Sequence, residues 1–282
     1  MGHFERIKYP DGQISAKWLA DKYDDNPLAR RKGDTVLKQR INSYEDLFFI
    51  RACADVLQHQ GIGGWSLFIP CMFGQRSDRR FANFQSFDLK LITDIINECG
   101  FNKVEILDPH SDVTMALIKN SVKKSSLEFV KKAVDDLYKP KNGINTCNFT
   151  LVSPDAGAYK KVFEYGEAMN LPVVAAVKHR DTEGKISLTF MGDVKDKHCL
   201  IIDDLCDGGY TFEVLGKALK EQGAYRVYLY ITHGIFSKGF IELTKWISHI
   251  YCTNSVKDLD LTNRGTPGGL ELSNFLTQYK VI

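Results

Sequence analysis

The order of apolar segments predicts an α/β protein of two domains, each a mainly parallel sheet flanked by helices. Two observations carry this. Short apolar runs of four to six residues alternate with longer segments that place apolar side chains at helical spacing. The alternation also passes through the chain twice, with a break at Pro140-Lys141-Asn142-Gly143. A length of 282 residues accommodates two domains of ordinary size. The expected domains are therefore 1–142 and 143–282, with the last residues expected to pack back on the first.

The elements follow in order. The first 40 residues are charged and turn-rich and suggest short strands and loops. From Ser43, a suitable N-cap, Leu47, Ile50, Ala54 and Leu57 recur at helical spacing as far as Gly61. Residues 65–69 read as a strand, 86–99 as a helix closed by Gly100, and 104–107 as a strand. Residues 111–145 are richer in Lys and Ser and carry no clear element. The second series has strands at 149–152, 172–177, 199–202 and 226–231, and helices at 156–169 and 212–222.

Composition narrows the function classes. Hydrophobic residues make up 44% and charged residues 26%, the balance of a folded globular protein. A net charge of +2 gives no global field that would favour nucleic acid, so any phosphate binding must be local. No apolar run reaches spanning length and no signal peptide is visible, so no membrane role is expected. The seven cysteines form no C-x-x-C pair, which reads as reduced thiols in the cytoplasm.

Chemistry is expected where parallel strands end. The most informative stretch is 200–211, an apolar strand that runs into Asp203 and Asp204 and then into Asp207-Gly208-Gly209-Tyr210-Thr211 before a helix. Glycines let successive amides face one point, and a helix N-terminus adds partial positive charge, which together make a phosphate nest. The paired carboxylates suit the vicinal hydroxyls of a ribose. The plainer reading is a strand-to-helix turn in which Asp and Thr act only as caps. Cys206 reads as a small buried filler rather than a nucleophile.

The segment resembles the phosphoribosyl pyrophosphate loop of type I phosphoribosyltransferases and of ribose-phosphate pyrophosphokinases, and motifs in the first half favour the latter family. Tyr9-Pro10-Asp11-Gly12-Gln13 resembles its early ATP-holding segment. Ile69-Pro70 followed by Arg76-Ser77-Asp78-Arg79-Arg80 resembles its ATP-contacting stretch. Asp108-Pro109-His110-Ser111 is similar to a turn whose His meets metal and nucleotide phosphates, and Ser153-Pro154-Asp155-Ala156-Gly157-Ala158 to one that supports Mg²⁺ and pyrophosphate. Lys178-His179-Arg180 resembles the opening of the mobile catalytic loop, while Thr232-His233 and Thr253-Asn254-Ser255 fall at further matching places. Simpler roles stand beside these: a cap for Asp155, a solvated basic turn for Arg76, Arg79 and Arg80, and core packing for Phe81, Phe84 and Phe87.

The resemblance implies two type I phosphoribosyltransferase-like domains, the first contacting ATP and the second a ribose phosphate. It implies transfer of the β,γ-diphosphoryl group of MgATP to an anomeric hydroxyl. Lys178, Arg180 and His110 are then catalytic, Arg76, Asp78, Arg79, Tyr9 and Asp11 bind ATP, and residues Asp203, Asp204, Asp207, Gly208, Gly209, Tyr210 and Thr211 bind the ribose phosphate. His110 and Asp155 are the metal residues, and a homo-oligomer with shared ATP sites is expected. One departure bears on the acceptor: the family loop reads Asp-Thr-Ala-Gly-Thr, whereas Gly208 and Tyr210 here remove a hydroxyl and add a phenol. Ribose 5-phosphate is the family default, and ADP-ribose is the acceptor that an aromatic beside the phosphate would suit. A phosphoribosyltransferase and a non-catalytic regulatory relative are the competing readings.

Overall fold

The computed structural model describes residues 3–19, 36–138, 148–180, 186–258 and 271–274. The chain divides after Ser125 into two compact units. No helix among the described residues is long and apolar enough to cross a membrane.

The first unit opens with an antiparallel hairpin, β1 (His3–Lys8) and β2 (Ile14–Leu19), in register from His3↔Leu19 to Lys8↔Ile14. A four-stranded parallel sheet follows, in which β3 (Val36–Lys38), β4 (Ser66–Ile69), β5 (Lys103–Leu107) and β6 (Ser121–Lys124) are neighbours in that order. Helices α1 (Tyr44–His59), α2 (Asp88–Glu98) and α3 (Asp112–Leu117) make the connections. The start of α1 is set by Ser43, whose Oγ accepts from the Asp46 amide at 3.1 Å, with Glu45 and Asp46 complementing the dipole in the first turn. Leu47, Ile50, Ala54 and Leu57 bury one face of this helix in a core shared with Leu89, Ile92 and Ile96 of α2 and Leu67, Ile69, Val104 and Ile106 of the sheet. Helix α2 begins two residues later than Ser86, because Phe87 takes the cap position without a side-chain hydrogen bond.

The second unit begins with α4 (Leu127–Leu137) and continues through β7 (Phe149–Ser153), α5 (Ala156–Met169), β8 (Val173–Arg180), β9 (Ile186–Met191), β10 (His198–Cys206), α6 (Tyr210–Glu221), β11 (Arg226–Gly234), α7 (Ile241–Thr244), β12 (His249–Thr253) and β13 (Glu271–Asn274). The sheet order is β13-β12-β11-β10-β7-β8-β9, parallel except for the β8–β9 edge pair. Residues 198–202 are all buried, as a strand covered on both faces requires.

The sequence placed the domain boundary at residue 142, whereas the compact units divide at 125. The reason is α4, which lay hidden in a Lys- and Ser-rich stretch. It buries Phe129, Val130, Ala133, Val134 and Leu137, and its own end is tied into the second unit: Tyr251 Oη donates to Asp136 at 3.0 Å, and Ser126 Oγ lies 2.9 Å from Tyr165 Oη. The expected linker at Pro140 and the chain's last residues lie outside the described residues.

Helix α5 approaches β8 closely at Gly166. A Cβ there would stand 2.3 Å from Val173 Cγ2 and 2.9 Å from the Leu171 carbonyl oxygen. Gly166→Ala is therefore expected to lower the unfolding free energy by about 1–3 kcal/mol through overpacking. A urea titration checks this, and unchanged stability would contradict the packing.

Candidate active site

The chain runs outward from the middle of the second sheet in two directions. After β7 it crosses to β8 on one side, and after β10 it crosses to β11 on the other. The helices that follow β7 and β10 thus diverge, which opens a crevice at the carboxyl ends of these two neighbours. Pairing between them spans only His198↔Phe149 to Ile201↔Val152, whereas β10 continues alongside β11 as far as Cys206↔Gly234. Asp203 and Asp204 therefore stand past the last β7 pair, at the crevice.

Their electrostatics are unfavourable in isolation. Burial, and then the neighbouring Asp204 carboxylate, raise the pKa of Asp203 well above the ordinary carboxylate range, while Lys161 of α5 acts in the opposite sense. The Asp204 amide donates to Asp203 Oδ1 at 2.9 Å. A ligand that donates hydrogen bonds or brings positive charge would relieve this pair.

Beyond the acids the chain turns at Gly209, which has φ 82° and forms the N-cap of α6 without any side-chain cap. Only glycine takes this position without strain, and a Cβ would also press on Leu243 at 3.3 Å. Tyr210 is 67% exposed at the first position of the helix. The loop is braced from behind by the turn after β11. Ile235 N and Phe236 N both donate to Cys206 O, at 2.8 and 3.2 Å, and Ser237 N donates to Asp207 O at 3.1 Å. Behind that turn, His233 Nδ1 lies 2.8 Å from Ser255 Oγ, which donates to Thr232 O at 2.9 Å. The matched residues Thr232, His233 and Ser255 thus form a buried brace. Cys206 is fully buried, and desolvation pushes its thiol up to about 12, so it is the expected filler and no nucleophile at neutral pH.

On the other wall, Asp155 caps α5, its Oδ1 accepting from the Ala158 amide at 2.9 Å, and Ser153 Oγ donates to Asp155 O at 2.7 Å. The capping role is thus observed, and a second oxygen remains on an exposed residue. Lys178 and Arg180 are the last residues of a ladder with β9, pairing with Leu188 and Ile186. The sequence had carried them on a loop. They belong to strand because β9 folds back beside them.

The first unit holds the segments that resemble nucleotide-contacting motifs. Residues 9–13 form the hairpin turn: Tyr9 N donates to Gln13 O at 2.8 Å and Asp11 Oδ1 accepts from Gln13 N at 3.0 Å, which leaves Tyr9 exposed. Arg76 and Arg79 are exposed and Asp78 half-buried in the segment after β4. At the end of β5, Asp108 is buried with φ 41°, an unusual conformation for a non-glycine residue, and His110 is exposed. Gln75, only 2% exposed, accepts from the His110 amide through Oε1 at 3.0 Å. It joins the arginine segment to the histidine turn, and its place directly before Arg76 was the one signal for it in the sequence. Phe81 and Phe84 are not core, contrary to expectation. They sit in an exposed loop, with Arg79 stacked on Phe81 at 5.2 Å, and only Phe87 packs on the core.

Among the described residues, no three His, Cys, Asp or Glu stand together as a metal-binding group. Asp155, exposed and with one carboxylate oxygen outside its capping bond, suits a hard cation held by few protein ligands, with water and phosphates supplying the rest.

Comparison with known proteins agrees with this arrangement. The family model of the phosphoribosyl synthetase-associated domain matches residues 150–261, which include Ser153, Asp155, Lys178, Arg180, the 203–211 segment and the brace of Thr232, His233 and Ser255. Ribose-phosphate pyrophosphokinase 4 of Saccharomyces cerevisiae is 30% identical over 237 residues, covering 79% of this chain and 68% of the yeast protein. The chain belongs to the ribose-phosphate pyrophosphokinase family. Another relative, ribose-phosphate pyrophosphokinase of Mycoplasma genitalium, is 27% identical over 269 residues, 89% of this chain and 78% of that one. The crystal structure of phosphoribosylpyrophosphate synthetase from Mycobacterium smegmatis superimposes with a TM-score of 0.75 at 19% identity, covering 97% of this chain and 86% of that one. The fold expected from the sequence, two type I phosphoribosyltransferase-like domains, is borne out, as is the enzyme class of the family, a diphosphotransferase.

Because the folded pKa of Asp203 is raised, its favourable contribution is present below the ordinary value of 3.8 and is lost as pH rises through the folded value. Asp203→Asn should therefore raise the thermal midpoint at neutral pH, by about 2–4 °C for each kcal/mol relieved. The gain should vanish well below 3.8, where the Asp203 carboxyl is neutral in the folded and the unfolded chain alike. Thermal scans across pH test it, and a midpoint that falls at neutral pH would contradict the strain.

Proposed function

We propose that this protein transfers the β,γ-diphosphoryl group of ATP to the anomeric hydroxyl of a ribose phosphate and releases AMP. The observation that carries the reading is the pair Asp203 and Asp204 followed by an uncapped helix N-terminus at the point where the strand order reverses. Two adjacent carboxylates accept hydrogen bonds from vicinal hydroxyls, and the amides at Gly209, Tyr210 and Thr211 receive the phosphate at the C5 end.

In this reaction the anomeric oxygen attacks the β-phosphorus of ATP. A new O–P bond forms, the bond from that phosphorus to the α,β-bridging oxygen breaks, and the oxygen leaves on AMP while the anomeric proton passes to solvent. The protein's task is alignment and charge stabilisation, with no covalent intermediate. Asp203 and Asp204 orient the ribose. Lys178 and Arg180 stabilise the charge that spreads over the transferred group. Arg76, Arg79 and Asp78 hold the nucleotide, with Tyr9 and Asp11 supplied by the hairpin turn, in keeping with a homo-oligomer that shares ATP sites. His110 and Asp155 are the residues that would hold Mg²⁺, which when bound neutralises phosphate charge. A cytoplasmic setting accords with the six free cysteines among the described residues, five of them buried.

Ribose 5-phosphate is the first acceptor to consider. ADP-ribose is favoured by one observation: Tyr210 offers an exposed ring at the edge of the phosphate loop, where a nucleoside beyond the phosphate can stack. Purified protein with MgATP and each sugar separately distinguishes them by AMP release, and turnover with ribose 5-phosphate alone would exclude ADP-ribose. Lys178→Ala should lower turnover by about 10²-fold or more without changing the unfolding midpoint. Retained turnover would remove Lys178 from the mechanism. Chelation with EDTA should abolish AMP release and excess Mg²⁺ restore it.

A further inference from the structure

We propose that Lys238 is a specificity-determining residue that supplies the positive charge for the phosphoryl group at the C5 end of the acceptor. This rests on the ribose-phosphate reading of the loop at 207–211. The need for a cation follows from charge arithmetic. A phosphate monoester carries about −1.5 to −2 at neutral pH, whereas a helix N-terminus offers only about +0.5. The five loop residues contribute no cation, and Asp207 adds a negative charge. Thr211 alone brings an aliphatic hydroxyl. Amides and one hydroxyl leave such a ligand under-compensated.

Lys238 stands where it meets that need. It lies in the turn after β11, whose amides at 235, 236 and 237 donate to the carbonyl oxygens of Cys206 and Asp207, so this turn and the loop hold a fixed relation. Its aliphatic stem crosses Gly208: Cδ and Cε each lie 3.5 Å from the point a Cβ at that position would occupy, and Cγ lies 3.8 Å from it. The ammonium, one bond past Cε, is therefore beside the loop. Gly208 has no positive φ, so backbone conformation does not demand glycine there. Its bare face gives the lysine stem its path. Lys238 is exposed, and among the described residues its ammonium has no ion-pair partner. A stem held by van der Waals contact with a head left for an incoming anion is how a lysine behaves as a phosphate-seeking point charge.

The test compares wild type with Lys238→Met, which keeps the stem and removes the charge, and Lys238→Arg, which keeps a charge. Calorimetric titration with ribose 5-phosphate and with ADP-ribose reads binding without turnover, and MgATP titration serves as control. The expected result is a Kd for the phosphorylated sugar at least 10-fold weaker in Lys238→Met, with a flatter salt dependence, near-wild-type affinity in Lys238→Arg and an unchanged Kd for MgATP. In turnover the change should appear in KM and not in kcat. Equal sugar affinity in wild type and Lys238→Met overturns the assignment while leaving the diphosphokinase reading intact. Tight binding by wild type without AMP release overturns the diphosphokinase reading and leaves Lys238 standing. Absence of sugar binding by wild type overturns both.

Discussion

A parallel strand buried on both faces, β10, ends in two adjacent carboxylates held partly out of water. The fold tolerates this because strand pairing on one side stops at Ile201 while it continues on the other to Cys206. The acids are thereby exposed to a crevice on one flank and stiffened on the other. The sharp turn at Gly209, the uncapped start of α6 and the brace from the turn after β11 all depend on β10 running past its β7 neighbour. A site made this way sits at the carboxyl end of a central strand, where open parallel sheets place ligands.

The first unit solves a different problem with the same architecture. Its parallel sheet places the arginine segment after β4 and the histidine turn after β5, and neighbouring strands bring these two ends together. The Gln75 side chain then links them, one amide oxygen to the His110 backbone, from a buried position that permits little movement. Asp108 in a left-handed conformation at that turn is strain of the kind that persists where the surroundings over-determine a residue.

Much of this was legible in the sequence. The helix at α1 could be read from Ser43 and the spacing of Leu47, Ile50, Ala54 and Leu57, and α5 from Asp155 to Met169, because caps and periodicity agree there. The strand-to-helix turn at residues 203–211 was legible because acids, glycines and an apolar run coincide. Helix α4 was missed, although Phe129, Val130, Ala133, Val134 and Leu137 have helical spacing, because Lys and Ser are frequent in that stretch and the bonds that tie it down, Ser126 with Tyr165 and Asp136 with Tyr251, are remote in sequence. The strand character of residues 178–180 depends on β9 folding back, a non-local pairing no local pattern encodes. Gln75 and Lys238 were missed for a like reason. Each acts across a gap in sequence, of 35 residues to His110 in one case and of a whole βα unit in the other. Phe84 shows the opposite error, an apolar residue assigned to the core by type that stands on an exposed turn with φ 65°.

Transfer of the diphosphoryl unit intact is read most directly from the fate of the β-phosphorus. With ATP labelled at the β-position and the ribose phosphate that supports turnover, the label is predicted to leave the nucleotide entirely: AMP is unlabelled, and the sugar product carries all of the β-label. Label retained on ADP, with only the γ-phosphoryl group moved, would contradict it.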